Sequence, residues 1–135
     1  MTADAPRFAT LLLDSDGLVK LAHRDGRMRA LLAESQRVDA DVVVPWTVLA
    51  ETLQGPHKPA LLYALSTTRL VELAERHYRE AAGLMERAGM GGHAIDALVV
   101  AAALRLTRPV VIATSDPGDI GRLTQGQRGV AVVAV

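Results

Sequence analysis

Short, wholly apolar runs alternate along this chain with longer segments in which apolar residues recur every three or four positions. A short apolar run between turn residues is typical of a strand buried on both faces, whereas the second spacing is typical of a helix with one buried face. Residues that favour turns, mainly Gly, Pro, Asp and Ser, separate the two kinds of segment. The pattern predicts strands at residues 8–13, 42–44, 70–73, 110–113 and 130–135.

The segments between these strands have helical spacing. One helix is expected from Leu18 to Glu34, with an interruption at residues 25–26, and the next is expected to be capped by Thr47. The helix at residues 93–106 is apolar on all sides, so it should be largely buried. The remaining helices are predicted at residues 59–66 and 75–88 and in a short segment that ends at Leu123.

Strands that alternate with helices favour an α/β fold with a mostly parallel sheet, here of four or five strands, and helices on both faces. The chain has 135 residues, the usual size of one domain, and contains no repeat or linker, so a single domain over residues 1–135 is expected. Such sheets bind ligands beyond the carboxyl ends of their strands. Functional residues are therefore expected at that edge.

The absence of cysteine removes several kinds of chemistry. Disulfides, zinc–thiolate sites and cysteine nucleophiles are excluded, and metal ligands must come from His, Asp, Glu and backbone oxygens. This composition is typical of a cytoplasmic protein. The sequence starts without a basic leader, and no apolar run approaches the roughly 18 residues of a membrane span, so no membrane association is expected.

The charge balance is neutral, with 15 basic and 15 acidic residues. Charge alone therefore does not indicate a nucleic-acid-binding protein. Among the basic residues only Lys20 and Lys58 are lysines, and arginine is the better residue for bidentate contacts to phosphate. Aromatic residues make up only 3% of the chain, which argues against a surface that stacks bases.

Four acidic residues far apart in the sequence are expected to meet at one edge of the sheet, and a fifth lies three residues after the last of them. One directly follows the first strand, one lies a turn into the helix after the second strand, and one lies in the first turn of the buried helix. Two more follow the strand at residues 110–113. In chain order these residues are Asp14, Glu51, Asp96, Asp116 and Asp119.

Most of these acids also have a purely structural interpretation. Asp116 precedes Pro117, as the capping residue of a helix commonly does, and Asp119 would compensate the dipole of that helix. A solvated surface position would account for Glu51, and a turn would account for Asp14.

Asp96 is the hardest of these residues to explain structurally, because apolar residues surround it at positions 94–104. An isolated buried carboxylate costs several kcal/mol unless it is paired or bound to a metal. Carboxylates that crowd together raise one another's pKa, and a hard cation such as Mg²⁺ or Mn²⁺ relieves the repulsion. A water held by such a cation beside a phosphodiester becomes a better nucleophile, so the pattern indicates hydrolysis.

Four stretches of the chain together resemble, in order and spacing, the acidic motifs of PIN domains. They are residues 11–14 (LLLD), 47–51 (TVLAE), 95–99 (IDALV) and 113–120 (ATSDPGDI), and the last two are the most specific. Within that superfamily the chain looks most like the VapC toxins of bacterial toxin–antitoxin pairs. The resemblance extends from Phe8 to the closing strand.

The resemblance implies a Mg²⁺- or Mn²⁺-dependent endoribonuclease, the toxin of a type II toxin–antitoxin pair, acting on structured RNA such as tRNA. It also implies a cognate antitoxin that reaches into the active site, and a homodimer. The catalytic residues that it implies are Asp14, Glu51, Asp96 and Asp116; the metal ligands are Asp14, Asp96, Asp116 and Asp119, and Thr114 is a supporting polar residue.

Two residues depart from the family pattern. Asp16 adds an acid where the family usually has a small or apolar residue, and His93 precedes the third motif. We interpret His93 as a residue that starts a helix or donates a hydrogen bond, rather than as a ligand. The candidates for contact with RNA are Arg24, Arg27, Arg29 and Arg122.

Two other hypotheses remain open from the sequence. Residues 14–19 (DSDGLV) also resemble the opening motif of phosphatases of the haloacid dehalogenase type, in which Asp14 would be the nucleophile and Asp16 the acid or base. Against this hypothesis, Leu18 replaces the expected Thr, and no lysine follows Lys58. The third hypothesis is a partner-binding module in which the acids are helix caps or remnants.

Overall fold

Five strands pair in one parallel sheet in the computed structural model, which describes residues 7–135. The first six residues of the predicted domain lie outside this range. The strands are β1 (Thr10–Leu13), β2 (Asp41–Pro45), β3 (Arg69–Val71), β4 (Val110–Thr114) and β5 (Val130–Ala134). Their order is β3-β2-β1-β4-β5, and every neighbouring pair is parallel, so the expected parallel α/β sheet is confirmed.

Seven helices connect these strands within residues 7–135. They are α1 (Ser15–Ala22), α2 (Gly26–Arg37), α3 (Thr47–Thr52), α4 (Lys58–Ser66), α5 (Glu75–Ala88), α6 (Ala94–Ala103) and α7 (Pro117–Leu123). The chain first moves from β1 to β2 and β3, then returns past β1 to β4 and β5. Because crossovers between parallel strands are right-handed, the reversal places α1, α2 and α4 on one face and α5, α6 and α7 on the other.

Helix α1 begins three residues earlier than its apolar spacing predicts. Asp14 occupies the capping position, and its side chain accepts a hydrogen bond from the backbone N–H of Gly17. The predicted turn at residues 14–17 is therefore the first turn of a helix, because the cap satisfies an N–H group that would otherwise lack a partner. The predicted interruption at residues 25–26 is confirmed, since α2 starts at Gly26.

Two further boundaries differ from the sequence prediction. Thr47 does not cap α3: Trp46 takes that position with helical backbone angles and no side-chain capping bond. Helix α6 ends at Ala103 rather than at residue 106, and Leu104 and Leu106 continue the apolar pattern because they pack against the core from the turn that follows. Apolar spacing reports burial, and burial extends beyond the helix here.

The core is densest around β1, β4 and α6. Leu11, Leu12 and Leu13 of β1 are fully buried, and the predicted burial of α6 is confirmed from Ala97 to Ala103. Leu12 is level with Val43 of β2 and Ile112 of β4 in the sheet. Strand β1 is therefore held on both sides, and its carboxyl end is fixed in position.

Helix α1 lies unusually close to β4. A Cβ atom at Gly17 would come within 2.7 Å of the carbonyl oxygen of Ala113, so only glycine fits this contact. The close approach holds the first turn of α1, and with it Asp14, against the carboxyl end of β4. None of the helices within residues 7–135 has both the length and the apolar character needed to cross a membrane.

Candidate active site at the switch point of the sheet

The strand order reverses at β1, and the acidic residues singled out from the sequence gather beyond that point. Asp14 follows β1, Glu51 lies in α3 beyond β2, Asp96 lies in the first turn of α6, and Asp116 follows β4. A reversal of this kind leaves a crevice at the carboxyl edge of the sheet. With Asp119 in the first turn of α7, all five predicted acids thus reach the expected edge, and they do so from both sides of β1.

Asp14 is the most buried of these acids, with 6% of its surface exposed. Its Oδ1 accepts the N–H of Gly17 at 2.8 Å, and its own N–H donates to the carbonyl oxygen of Ala113 at 3.3 Å. These two bonds fix the carboxylate between α1 and β4. Its side chain cannot move away from the other acids without losing the cap of α1.

Burial raises the pKa of Asp14 from 3.8 to about 6. Hydrogen bonds from Thr114 and Gly17 act in the opposite direction, and the negative charges of Asp16 and Asp96 raise the pKa further. A pKa raised this far means that the hydrogen bonds do not offset the burial and that no positive group compensates the charged carboxylate. The site therefore favours a cation close to Asp14.

Thr114 supports the two strand-end acids together. Its side chain is fully buried at the end of β4, its hydrogen bond to Asp14 stabilises the charged carboxylate, and its Oγ1 accepts the N–H of Asp116 at 3.0 Å. One hydroxyl thus fixes the distance between the ends of β1 and β4.

Two serines, which the sequence analysis did not single out, link acidic loops across the edge. Ser15 Oγ donates to Glu51 Oε1 at 2.5 Å, and the hydroxyl of Ser115 donates to Asp16 Oδ2. The first bond joins α1 to α3, and the second joins α1 to the loop after β4. Each serine directly follows or precedes a predicted acid, but only the tertiary structure identifies its partner.

Asp96 is less buried than its apolar neighbours in the sequence suggest, with 35% of its side chain exposed. The apolar residues of α6 begin to be buried only at Ala97, because the first turn of the helix projects beyond the sheet. Burial still raises the pKa of Asp96, the charges of Asp119 and Asp116 add to this effect, and His93 opposes it.

Asp116 has the capping role that its position before Pro117 suggested. Its Oδ1 accepts the N–H of Asp119 at 3.4 Å, and α7 starts at Pro117. Asp116 is exposed at the edge, and its charge contributes to the raised pKa of Asp96. Capping and membership of the acidic cluster are therefore compatible in this residue.

His93 joins the acids from the start of α6, as its interpretation as a helix-start residue expected. Its Nδ1 lies 3.6 Å from Oδ2 of Asp96 and 3.6 Å from Oδ2 of Asp119, although α6 and α7 are separate helices. The ligand atoms of the three residues all lie within 4.8 Å of one another. Carboxylate oxygens with one imidazole nitrogen fit a divalent cation. Binding of the cation would offset the negative charge that contributes to the raised pKa values of Asp14 and Asp96.

Three of the four arginines suggested for RNA contact lie away from these acids. Arg24, Arg27 and Arg29 follow the far end of α1, about 12 Å along a helix of eight residues. Arg24 and Arg29 line a cleft of about 680 Å³ at the other edge of the sheet, together with Asp41. The remaining candidate, in the last turn of α7, is Arg122, whose Nη2 donates to the carbonyl oxygen of Ala88.

The protein belongs to the α/β class with a parallel sheet covered by helices on both faces, and its acidic site lies where the strand order reverses. No protein-family model and no curated protein matches the sequence, whereas solved structures match the fold over nearly the whole chain. A chain of VapBC2 from Rickettsia felis, bound to a DNA fragment from their promoter, aligns with a TM-score of 0.70 at 12% identity over 93% of this chain and 98% of that chain.

Two other structures match to a similar extent. A chain of a toxin–antitoxin complex from Klebsiella pneumoniae has a TM-score of 0.68 at 17% identity, with 90% of this chain and 96% of that chain covered. A chain of FitAcB from Neisseria gonorrhoeae has a TM-score of 0.62 at 22% identity, with 91% and 96% covered. The expected single PIN-like α/β fold is therefore confirmed, and the resemblance to VapC-type proteins holds at the level of the fold.

Proposed function

We propose that this chain is a divalent-metal-dependent endoribonuclease, the toxin component of a type II toxin–antitoxin pair. The observation that carries the proposal is the convergence of Asp14, Asp96 and Asp116 at one edge, where the pKa values of Asp14 and Asp96 are raised. Uncompensated negative charge of this kind suits a site that binds a cation and a phosphodiester. The likeness of the fold to chains of toxin–antitoxin complexes supports the same assignment.

The proposed cofactor is Mg²⁺, with Mn²⁺ as a substitute, held by Asp14, Asp96, Asp116 and Asp119. When bound, such an ion acts as a Lewis acid that activates water and offsets charge on the phosphodiester. Asp14 is held ready by its bonds from Gly17 and Thr114. Its position therefore does not depend on the substrate.

Glu51 is proposed to accept a proton during hydrolysis. Ser15 donates to Oε1 of Glu51, which fixes the carboxylate and leaves Oε2 to take the proton of the attacking water. Glu51 lies on α3, across the crevice from Asp116. This separation would let RNA pass between them.

The partners we propose are RNA as the substrate, a cognate antitoxin and a second copy of the chain, all acting in the cytoplasm. A protein antitoxin is supported by the toxin–antitoxin complexes that share the fold. Arg24 in the turn after α1, Arg27 and Arg29 in the first turn of α2, and Arg122 in the last turn of α7 are candidates for contacts with RNA outside the crevice. A broad positive field does not attract the substrate, since the net charge is zero.

The phosphatase hypothesis loses its main support in the structure. The motif that suggested it combines Asp16 and Gly17, and each has a structural reason to be present. Gly17 is required by the contact with Ala113, and Asp16 accepts a hydrogen bond from Ser115 at an exposed position. Neither residue therefore requires a phosphomonoester substrate to explain its presence.

Cleavage of mixed cellular RNA by the purified chain tests the proposed function. We expect activity to disappear on chelation and to return with Mg²⁺ or Mn²⁺. Asp96→Asn should lower the rate by at least about 100-fold while the protein stays folded, since loss of even a supporting partner of a metal site can cost that much. Asp41→Asn, the same change at the opposite edge of the sheet, should cut RNA at the normal rate. Intact RNA with every divalent ion would refute the nuclease.

A further inference from the structure

Among the described residues 7–135, His93 is the one histidine whose ring lies close to two carboxylates. His77 is used structurally, because its Nδ1 accepts the N–H of Ala74 at 2.9 Å at the start of α5. His23 and His57 contact each other edge to face, with ring centroids 4.8 Å apart. His93 stands at the start of α6 but makes no capping bond there.

The distances around His93 differ from those of hydrogen bonds. Its Nδ1 lies 3.6 Å from each of two carboxylate oxygens, whereas N–H···O hydrogen bonds measure about 2.7–3.2 Å. Two ligand atoms that share a metal ion, with bonds of about 2.0–2.2 Å, lie roughly 3.0 Å apart in an octahedral shell and roughly 3.4 Å apart in a tetrahedral one. The spacing around His93 therefore resembles the edges of a coordination shell.

The charges around the ring favour the same interpretation. Asp96 and Asp119 belong to different helices, carry like charges and each place one Oδ2 atom 3.6 Å from Nδ1 of His93. A divalent cation between the nitrogen and the two oxygens would cancel these charges.

We propose that Nδ1 of His93 is a metal ligand, together with Oδ2 of Asp96 and Oδ2 of Asp119. The nitrogen makes the site select first-row transition ions over Mg²⁺, because Mg²⁺ prefers oxygen ligands and imidazole binds more strongly along the series from Mn²⁺ to Co²⁺. The inference deepens the proposed function, since it rests on the same acidic site, and it implies that Mn²⁺ binds this site more tightly than Mg²⁺ does.

The test measures metal binding by the whole chain after its metals have been removed by chelation. With Mn²⁺ bound, pulsed electron paramagnetic resonance should detect a directly coordinated nitrogen. The signal should vanish in His93→Gln and persist in His57→Gln, which changes a histidine outside the site. Calorimetry should show that His93→Gln weakens Mn²⁺ binding by about 10- to 100-fold, weakens Co²⁺ binding more and Mg²⁺ binding less.

His93→Asp provides an independent check, because it replaces the nitrogen with an oxygen. This variant should keep Mn²⁺ binding, lose the nitrogen signal and require less Mg²⁺ to displace Mn²⁺. Wild-type protein without a nitrogen signal, or equal Mn²⁺ affinity in His93→Gln, would overturn the proposal.

The outcomes separate this inference from the proposed nuclease. RNA cleavage without the nitrogen signal would remove His93 from the metal site and leave the nuclease standing. A nitrogen signal without RNA cleavage would establish the ligand and refute the nuclease.

Discussion

Asp14 combines a structural and a chemical role in one carboxyl group. As the cap of α1 it accepts the N–H of Gly17, and as the most buried acid of the edge it has a pKa of about 6 instead of 3.8. The folded chain therefore keeps a proton on Asp14 up to a higher pH than the unfolded chain. Stability should fall as pH rises through this interval and stay lower above it.

In metal-free protein, Asp14→Asn should remove the loss of stability that burial of the charged Asp14 carboxylate causes at neutral pH. Asparagine can still cap α1, but it carries no charge to bury. At 1.36 kcal/mol per pKa unit, we expect the free energy of unfolding to increase by as much as about 3 kcal/mol at pH 7.5. The gain should shrink to about 0.5 kcal/mol at pH 4, where Asp14 is protonated in the folded chain and only partly ionised in the unfolded chain.

Urea unfolding in the presence of a chelator at the two pH values measures the difference. Equal stabilities of wild type and variant at pH 7.5 would contradict the raised pKa. Excess Mn²⁺ should reverse the order, because only the wild type keeps the full proposed ligand set.

The acids themselves could be found from the sequence, because each follows a strand or starts a helix in a mostly parallel fold. The residues that these acids contact in the folded chain could not be found in this way. Nothing in the local pattern indicates that Ser15 would bond Glu51, or that His93 would reach Asp119, since those contacts depend on where separate helices lie. The lesser burial of Asp96 was missed for the same reason.

At the scale of elements, the contact between α1 and β4 positions the site. A methyl group at Gly17 would meet the backbone of Ala113 at 2.7 Å, and backbone atoms of a central strand cannot move aside. We expect Gly17→Ala to lower the free energy of unfolding by about 1–3 kcal/mol, because α1 must shift. The shift would also displace the first turn, which holds Asp14.

Gly26→Ala is the matched control for this prediction. Gly26 is the first residue of α2, and a Cβ there would meet nothing within 4 Å. Alanine at that position should leave stability unchanged or raise it by up to about 1 kcal/mol. Thermal or urea unfolding of the two variants compares them, and equal effects would show that the close contact is unimportant.

The strands and helices followed from apolar spacing, but several of their ends did not. Asp14 starts α1 earlier than its apolar residues indicate, since capping depends on a polar side chain. Leu104 and Leu106 extend the pattern of α6 past its end, because a turn can also face the core. Spacing thus predicts which side of a segment is buried better than where the segment stops.

At the scale of the whole molecule, the proposed cation site joins the two halves of the sheet. Residues from β1, α6 and the loop after β4 meet only when β1 and β4 are paired. Any ion that binds this site therefore stabilises the folded state of the entire domain.

Mn²⁺ at about 100 times its Kd should add about 2.7 kcal/mol to the free energy of unfolding. For a domain of this size, the melting temperature should rise by roughly 10 °C. Scanning calorimetry of wild type, Asp96→Asn and Asp41→Asn would show the rise in the first and last proteins only. An equal rise in all three would mean that the ion binds elsewhere.

The order of the strands could not be predicted from spacing, although the parallel sheet could. The direction of α1 was equally hidden: the helix carries Arg24, Arg27 and Arg29 past its far end, whereas the sequence shows them only as near neighbours of Asp14 along the chain. A helix of eight residues is enough to carry neighbours in sequence to opposite edges of the sheet.

Strand β3 gives the molecule an uneven resistance to local opening. It has three residues, lies at the rim of the sheet and pairs with β2, whereas β1 is paired on both sides. The N–H of Trp46, at the start of α3, donates to the carbonyl oxygen of Val71 in β3. When the rim frays, α3 loses this tether and Glu51 keeps only the bond from Ser15, whereas Asp14 keeps its bonds with Gly17 and Ala113. Local opening at β3 should therefore loosen the wall of the crevice that carries the proposed proton acceptor and leave the side formed by β1 and β4 in place.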